Sequence, residues 1–482
     1  MTGNTRRFTD PLARRAASGR LSRREVMRGA AGMGLGLGLG STGAFGASWR
    51  GTSARQATPA AVEPGSTIVV PEGLRTDLAG TPLNCQFGYR GPDTAWDDAA
   101  TRIFAEATGI NAVHTIGDTS VTDQLTQILT QLGAQTSDVD VYQIDVIWPG
   151  IIAEHAVDLS QALAEQAQLH FPEAVANYTV DDALVGMPWI NGAGLLFYRT
   201  DLLEKYGFAA PPATWSELEA QVTAVQEGER AAGLPDFQGY VWQGNTYEGL
   251  TCNALEWQAS SGGGTIIEKD GTVSVNNPQA AAALERAANW VGTISPPGVL
   301  TYEEPDCLNV FATGNALFMR NWPYAWNASQ DEASVITGRV EVAPLPAGDE
   351  AGNQGASALG GFALMVPRYS QHQEAAQELV KYLTSPELQL SYVIERGNLP
   401  TIASVYDDPA VAAASDFVPQ LRPIFEGGAV ARPSAVAGRF YNDVSVAYQT
   451  TVSQILAGAL EAGPALETLS LDLEDILAEI EA

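Results

Sequence analysis

An α/β fold is predicted for this 482-residue chain by strand signals and helix signals that alternate along most of its length. The strand signals are Leu83–Phe87 and the apolar runs at Val139–Ile147 and Leu195–Tyr198. Between them lie segments whose apolar residues recur at three and four, as on one face of a helix. Several helix starts are spelled out as well: Thr214 with Glu217 as a capping box, and Asn277-Pro278 and Ser385-Pro386 with proline at the first helical position. Hydrophobic residues make up 45% of the chain, ample for more than one core.

Taken in order, the run Leu83–Phe87 reads as a strand carrying Cys85. Trp96, Ala100, Ile103, Phe104 and Ala107 then mark a helix that Gly109 stops. Thr122–Leu132 is a second amphipathic helix. Val139–Ile147 is the most apolar strand, with one acid, Asp145, near its carboxyl end, where ligands of open α/β sheets gather. Asp158 or Ser160 is expected to cap the segment that follows. The helix after Thr214 runs through Leu218, Val222 and Val225, and Trp215, Trp257 and Trp290 fall at helical spacing as core. Ala316–Met319 and Phe362–Val366 read as short buried strands. Pro464–Ile480 reads as a closing helix with an apolar stripe beside an acidic face.

Lys and Arg number 26 against 56 Asp and Glu, a net charge of −30. Such a polyanion repels phosphate backbones and anionic lipid, so nucleic-acid binding is not expected. Four scattered histidines (114, 155, 170, 372) give no metal-site spacing. The basic residues cluster at the start, where Ser22-Arg23-Arg24-Glu25-Val26-Met27 precedes a glycine-rich apolar stretch and small residues at 44–47. This is the pattern of a twin-arginine export signal over 1–47, cleaved near 46–47 and followed by a flexible leader over 48–65. The expected location is therefore periplasmic or extracellular. Three cysteines leave at least one unpaired. In an oxidising compartment, a Cys252–Cys307 bond and three buried thiols are both open.

Nucleotide-binding, zinc-protease and serine-hydrolase motifs are missing, and the one G-x-G-x-x-G (38–43) lies in the export signal with no strand before it. The adjacent acids Asp97-Asp98, Asp181-Asp182 and Glu303-Glu304 read as solvated surface, because adjacency means little among 56 acids. Aromatic residues beside hydrogen-bonding ones stand out more: Asp145 with Trp148, Trp189-Ile190-Asn191, Tyr240-Val241-Trp242-Gln243, Tyr247-Glu248, and Asn321-Trp322-Pro323-Tyr324-Ala325-Trp326. A sugar has apolar C–H faces and a hydroxyl rim. Flat rings cover the first, and charge-assisted hydrogen bonds from carboxylates or Arg serve the second.

Five runs resemble the sugar-binding components of ABC importers, extracellular solute-binding protein family 1, and among them the trehalose/maltose-binding branch. They are Ser137–Trp148, Gly186–Trp189 continuing through Tyr198–Gly207, Tyr247–Trp257, Phe318–Tyr324 and Leu359–Leu364, with the likeness extending over roughly residues 83–445. The resemblance implies a periplasmic-binding-protein-like type II fold, two α/β lobes with a hinge and an interlobe ligand cleft. One lobe would hold 66–187 and 358–402, the other 188–357 and 403–482. It implies a site in which Asp145 bonds sugar hydroxyls, Asn191 is a polar hinge-side residue and Trp322 stacks on a sugar ring. Gly360 and Gly361 would bring backbone close to the ligand, and Arg432 would reach it late in the chain. Tyr247 and Glu248 would line the cleft, and Asp93 is the one acid near the early ligand position. Phe362 departs from the pattern, standing where many relatives have Trp.

The function so implied is uptake without chemistry. A disaccharide or short oligosaccharide would close the lobes, and a monomeric receptor with no cofactor or metal would hand it to the permease. The rivals are a secreted glycoside-active enzyme, which needs two carboxyls across a scissile bond, and a receptor for another solute such as a polyamine.

Overall fold

The computed structural model describes residues 63–88, 93–117, 121–330, 334–415 and 417–481. The export signal and leader residues 48–62 lie outside them. Twelve strands form two main sheets and one hairpin among the described residues. The first sheet runs in the order β12 (Ala429–Val430), β11 (Ser357–Met365), β3 (Val141–Asp145), β1 (Pro82–Phe87), β2 (Asn111–Ile116), and β6 (Met187–Ala193) also pairs with β11. Strand β1 runs parallel to β2 and β3, whereas β11 runs antiparallel to β3 and β6. The second sheet is β10 (Val340–Ala343), β7 (Leu195–Arg199), β9 (Ala316–Asn321), β8 (Gln238–Val241). The hairpin pairs β4 (Thr179–Val180) with β5 (Ala183–Leu184), and Asp181 and Asp182 take its turn at φ of 48° and 64°.

The helix starts follow their local chemistry. Helix α1 (Asp93–Thr108) ends just before Gly109, and α2 (Val121–Gly133) follows β2. At α3 (Trp215–Ala231), the Thr214 hydroxyl accepts the Glu217 amide at 3.2 Å, but the Glu217 carboxylate reaches back to the amide of Ala213, one residue beyond the expected box. Helix α4 (Glu248–Ser260) is buried on nearly every side. Asn277 caps α5 (Pro278–Trp290) by accepting the Ala280 amide at 2.8 Å. Next come α6 (Glu304–Ala312), α7 (Gln373–Leu383) and α8 (Pro386–Arg396), the last capped by Ser385. Two long helices close the fold, α9 (Tyr441–Leu456) and α10 (Ala462–Glu481). Leu466, Leu469 and Leu473 of α10 are buried in a core shared with α9.

Three expectations are corrected. Strand β3 stops at Asp145, short of Ile147, because the Asp145 carboxylate accepts the Ile147 amide at 3.1 Å and turns the chain. Strand β11 starts at Ser357, ahead of Phe362, so that the glycines at 360 and 361 lie within the sheet. Asp158 does not cap a helix; it accepts the Ser160 amide and hydroxyl and ties this turn to Leu184 at 3.1 Å.

Two apolar cores result. One gathers Phe87, Trp96, Phe104, Ile144, Trp189 and Tyr392 around the first sheet, takes in Val405, Tyr406, Phe417 and Phe425, and continues onto one face of the second sheet through Phe197, Phe311 and Met319. The other face, with Leu196 and Phe318, meets Trp215, Trp242, Trp257 and Trp290 and the closing helices. The period of two along β7 divides Leu195 and Phe197 from Leu196 and Tyr198 between the cores. Each of Trp215, Trp242 and Trp290 satisfies its indole N–H, on Ser260, Ser295 and Glu219.

The chain passes from the first sheet to the second at Gly194, between β6 and β7. There a buried ion pair fills the space: Glu256 of α4 accepts Arg320 Nε at 2.9 Å and Nη2 at 2.5 Å, with 1% and 0% of the two side chains exposed. Glu256 also accepts the Ala358 amide of β11 at 3.0 Å, and Arg320 donates to Gln243 at 3.1 Å. Burial works against the Arg320 charge, but Glu256 overrides it and raises the guanidinium above its ordinary value. A Cβ at Gly194 would lie 1.9 Å from the Glu256 carboxylate, so only glycine fits. Glu256→Ala strands a buried guanidinium and is expected to cost about 3–5 kcal/mol of folding stability, read from urea unfolding; a loss under about 1 kcal/mol would show the charge is solvated.

Of the two readings left open for the cysteines, the structure has the three thiols rather than a Cys252–Cys307 bond: Cys85, Cys252 and Cys307 are all buried and free. Their side chains serve different neighbourhoods: Cys252 faces the charges of Arg432 and Glu248, and Cys307 faces the Glu304 carboxylate and the Gln243 side chain. Burial pushes the Cys252 thiol up to about 12, which leaves it protonated and inert.

Candidate functional site

The site begins where β3 ends. The turn after Asp145 leaves its carboxylate half-buried, and desolvation pushes it up to about 6. The Arg432 guanidinium and the Ile147 amide pull it down, and the Glu248 carboxylate pushes it further up. Arg432 is itself buried, donating from Nη1 to Glu248 at 2.7 Å and from Nη2 to the Leu359 carbonyl at 3.2 Å. Glu248 stands in the first turn of α4, where a negative charge is favoured. It also accepts the Tyr441 hydroxyl, and the Ser445 hydroxyl at 2.6 Å. Beside this group Tyr178 is buried with its hydroxyl unpartnered among the described residues, and burial and the Asp145 charge raise it well above its ordinary value.

The second half is aromatic. Trp322 follows β9, half-buried, with its indole N–H donated to Glu304 at 3.1 Å. The guanidinium of Arg320 lies 4.1 Å from the Trp322 ring centre, a cation–π contact. The six-membered edge rests on Gly360, where a Cβ would come within 2.8 Å of the ring. Tyr247 donates its hydroxyl to the other oxygen of Glu304 at 2.6 Å. Residues Leu359–Gly361 join the halves: Leu359 receives Arg432, Gly360 supports Trp322, and the Gly361 carbonyl accepts the Val146 amide beside Asp145. Gly361 has φ of +122°, and a Cβ there would lie 2.1 Å from the Ile190 carbonyl, which restricts it to glycine.

Most of the residues expected from sequence thus converge: Asp145, Glu248, Arg432, Tyr247, Trp322, Gly360 and Gly361. Asn191 lies beside them in register with Gly361, but it is buried and gives its side-chain amide to the Pro400 carbonyl at 3.0 Å, so it pins the strand. Asp93 opens α1, and its side chain lies outside the described residues. The aromatic runs need correction, because Trp148, Trp189, Tyr240 and Trp242 are core. Glu304 and Asp97 correct the reading of adjacent acids as solvated surface: Glu304 holds two aromatic side chains, and Asp97 is fully buried. Arg320, Glu256, Tyr178, Tyr441 and Ser445 went unnoticed. Arg320 carried a signal, a charge closing the apolar run Leu317-Phe318-Met319.

The sequence profile of bacterial extracellular solute-binding proteins matches residues 99–419, about two thirds of the chain. The chain belongs to that family. A probable ABC transporter-binding protein of Deinococcus radiodurans is 48% identical to this binding protein over 347 residues, 72% of this chain and 82% of the relative. Maltose-bound T. maritima MalE3 superposes with a TM-score of 0.74 at 34% identity, covering 83% of this chain and all of that one. The GacH receptor of Streptomyces glaucescens, solved unliganded and with acarbose, gives 0.71 at 22% identity over 83% and 99% of the two chains, a likeness of fold. The fold is that of the two-lobed periplasmic binding proteins, as expected from sequence.

The Asp145 carboxyl can be followed directly. Its carbon-13 shift should titrate near pH 6, and Glu248→Gln should lower that midpoint because a neighbouring negative charge is removed. A folded value above the ordinary 3.8 means that the native protein holds this proton more tightly than the unfolded chain. Asp145 therefore makes stability fall as pH rises from about 4 to about 6. A midpoint near 4 in the native protein would show the carboxylate to be water-solvated.

Proposed function

We propose that this binding protein is the extracytoplasmic receptor of an ABC sugar importer, taking a disaccharide or short oligosaccharide of the trehalose/maltose kind. The observation that carries the reading is the joining, by Leu359–Gly361, of a held, half-exposed indole ring and a half-buried carboxylate with a buried Arg beside it. The ring suits the apolar face of a sugar. Asp145 accepts hydroxyls, and Arg432 and Glu248 order the rim. The name of the 48% identical relative supports the transporter role, and the maltose bound to the 34% identical structure supports the ligand class.

In this reading 66–187 with 358–402 form one lobe and 188–357 with 403–482 the other, with 188–193 paired into the first sheet and residues of 405–411 and 417–425 packed in the first core. A sugar touching both lobes favours the closed form, and the permease takes up that form. The receptor is a monomer that acts outside the cytoplasmic membrane after twin-arginine export and cleavage near 46–47. It performs no reaction on the sugar.

The test is titration of the mature chain with trehalose, maltose, sucrose, glucose and spermidine, followed by calorimetry and by intrinsic fluorescence. Saturable micromolar binding of a sugar that is recovered intact is expected. Binding of spermidine alone, or recovery of cleaved sugar, would send the function to another class. Asp145→Ala should cost about 1.5–3 kcal/mol of sugar affinity, the range for hydrogen bonds to a charged group. Because the carboxylate is the better acceptor, native affinity should fall as pH drops through about 6, and Asp145→Asn should flatten that profile. An equally pH-dependent Asp145→Asn would assign the titration to another group. Trp322→Ala should weaken binding and remove most of the fluorescence response.

A further inference from the structure

We propose that Glu304 is a positioning residue of the sugar site: its one carboxylate fixes Tyr247 and Trp322 so that Trp322 presents a single bare ring face to the ligand. The inference rests on the sugar-binding reading above. Glu304 opens α6, but it has no part in capping that helix. Its neighbours carry other duties: Asp306 accepts the Glu303 amide at 3.0 Å, and the Glu303 carboxylate accepts the Asn245 side chain at 2.8 Å. Glu304 is left to serve the two aromatic residues, one oxygen to each, at 2.6 Å to the Tyr247 hydroxyl and 3.1 Å to the Trp322 indole.

The main chain of Trp322 is referred to the same residue. Asn321 donates its side-chain amide to the Glu304 carbonyl at 3.2 Å and accepts the Trp322 amide at 2.9 Å. Both ends of Trp322 are thus measured from Glu304. Arg320 occupies one ring face, and Gly360 meets the six-membered edge. With its N–H already donated, the indole has no hydrogen bond left to offer, and its remaining face is apolar. A ring held this way has already lost its rotamer freedom before the ligand arrives, so that cost is not charged against binding. A carboxylate is needed because two donors must be served at once. In this geometry each donor meets its own oxygen, so a carboxamide at 304 would turn its NH2 toward one of the two donors.

A double-mutant cycle on maltose and trehalose dissociation constants, with thermal melting of every variant, tests the brace. Glu304→Ala should weaken binding about tenfold in the native background, at the lower edge of what lost hydrogen bonds to a charged group cost. In a Trp322→Phe background, which keeps a ring but has no donor, its effect should shrink to about threefold or less, and Glu304→Gln should fall between native and Ala. Equal penalties in both backgrounds would overturn the proposal, since a general structural role of Glu304 survives the loss of the indole N–H. A readout without sugar separates the two readings. The emission difference between native and Trp322→Phe isolates Trp322, and Glu304→Ala should make that component more accessible to acrylamide. Raised quenching without any sugar binding would leave the brace standing and remove the sugar reading. Unchanged quenching would overturn the brace.

Discussion

The Glu256–Arg320 pair is the interaction on which the arrangement of the two sheets depends. Glu256 comes from α4, Arg320 from the second sheet, and the Ala358 amide that Glu256 also accepts from β11 of the first. Two charges out of water are expensive unless each lone pair and proton is answered. Here Gln243 and Ala358 supply the remaining bonds. The pair therefore acts as a pin at the Gly194 crossing, and the same guanidinium forms the floor beneath Trp322. Anything that loosens the pin tilts the ring above it, so stability and recognition share one group.

The polar half of the site is built on a different balance. Asp145 and Glu248 are two carboxylates near one buried Arg432, and the structure resolves this by bonding Arg432 and two hydroxyls to Glu248. Among the described residues Asp145 receives backbone amides, from Ile147 above all, and the attraction of Arg432, but no side-chain donor, so it keeps an elevated proton affinity and unfilled acceptor capacity. One acid is consumed by the scaffold and the other remains available. That asymmetry follows from where each stands: Glu248 on a helix start facing α9, and Asp145 at a strand end facing a turn.

Much of this was legible where the physics is local. The starts at Asn277-Pro278 and Ser385-Pro386 were readable because a cap and its proline lie within four residues of what they satisfy. Asp145 was readable because it is the acid near the carboxyl end of an apolar strand. Glu304 was not, because one carboxylate among 56 gains meaning only from Tyr247 and Trp322, which reach it from 57 and 18 residues away. Tyr240 and Trp242 misled for the complementary reason, since an aromatic residue beside a polar one reads alike on a strand facing a core and in a cleft. The early start of β11 was hidden because Gly360 and Gly361 carry no strand propensity; their place in the sheet is set by close approach to Ile190 and Trp322.

The three cysteines carry a consequence beyond packing. Each is a buried, unbonded thiol within an apolar or charged setting that keeps it protonated. No covalent cross-link between them is needed to hold the described body together. The native state is thus reachable without an oxidant or a disulfide isomerase, and the same packing is stable against glutathione and against air. A chain held by noncovalent contacts alone can mature on either side of a membrane, so the timing of its folding relative to translocation is free of redox control.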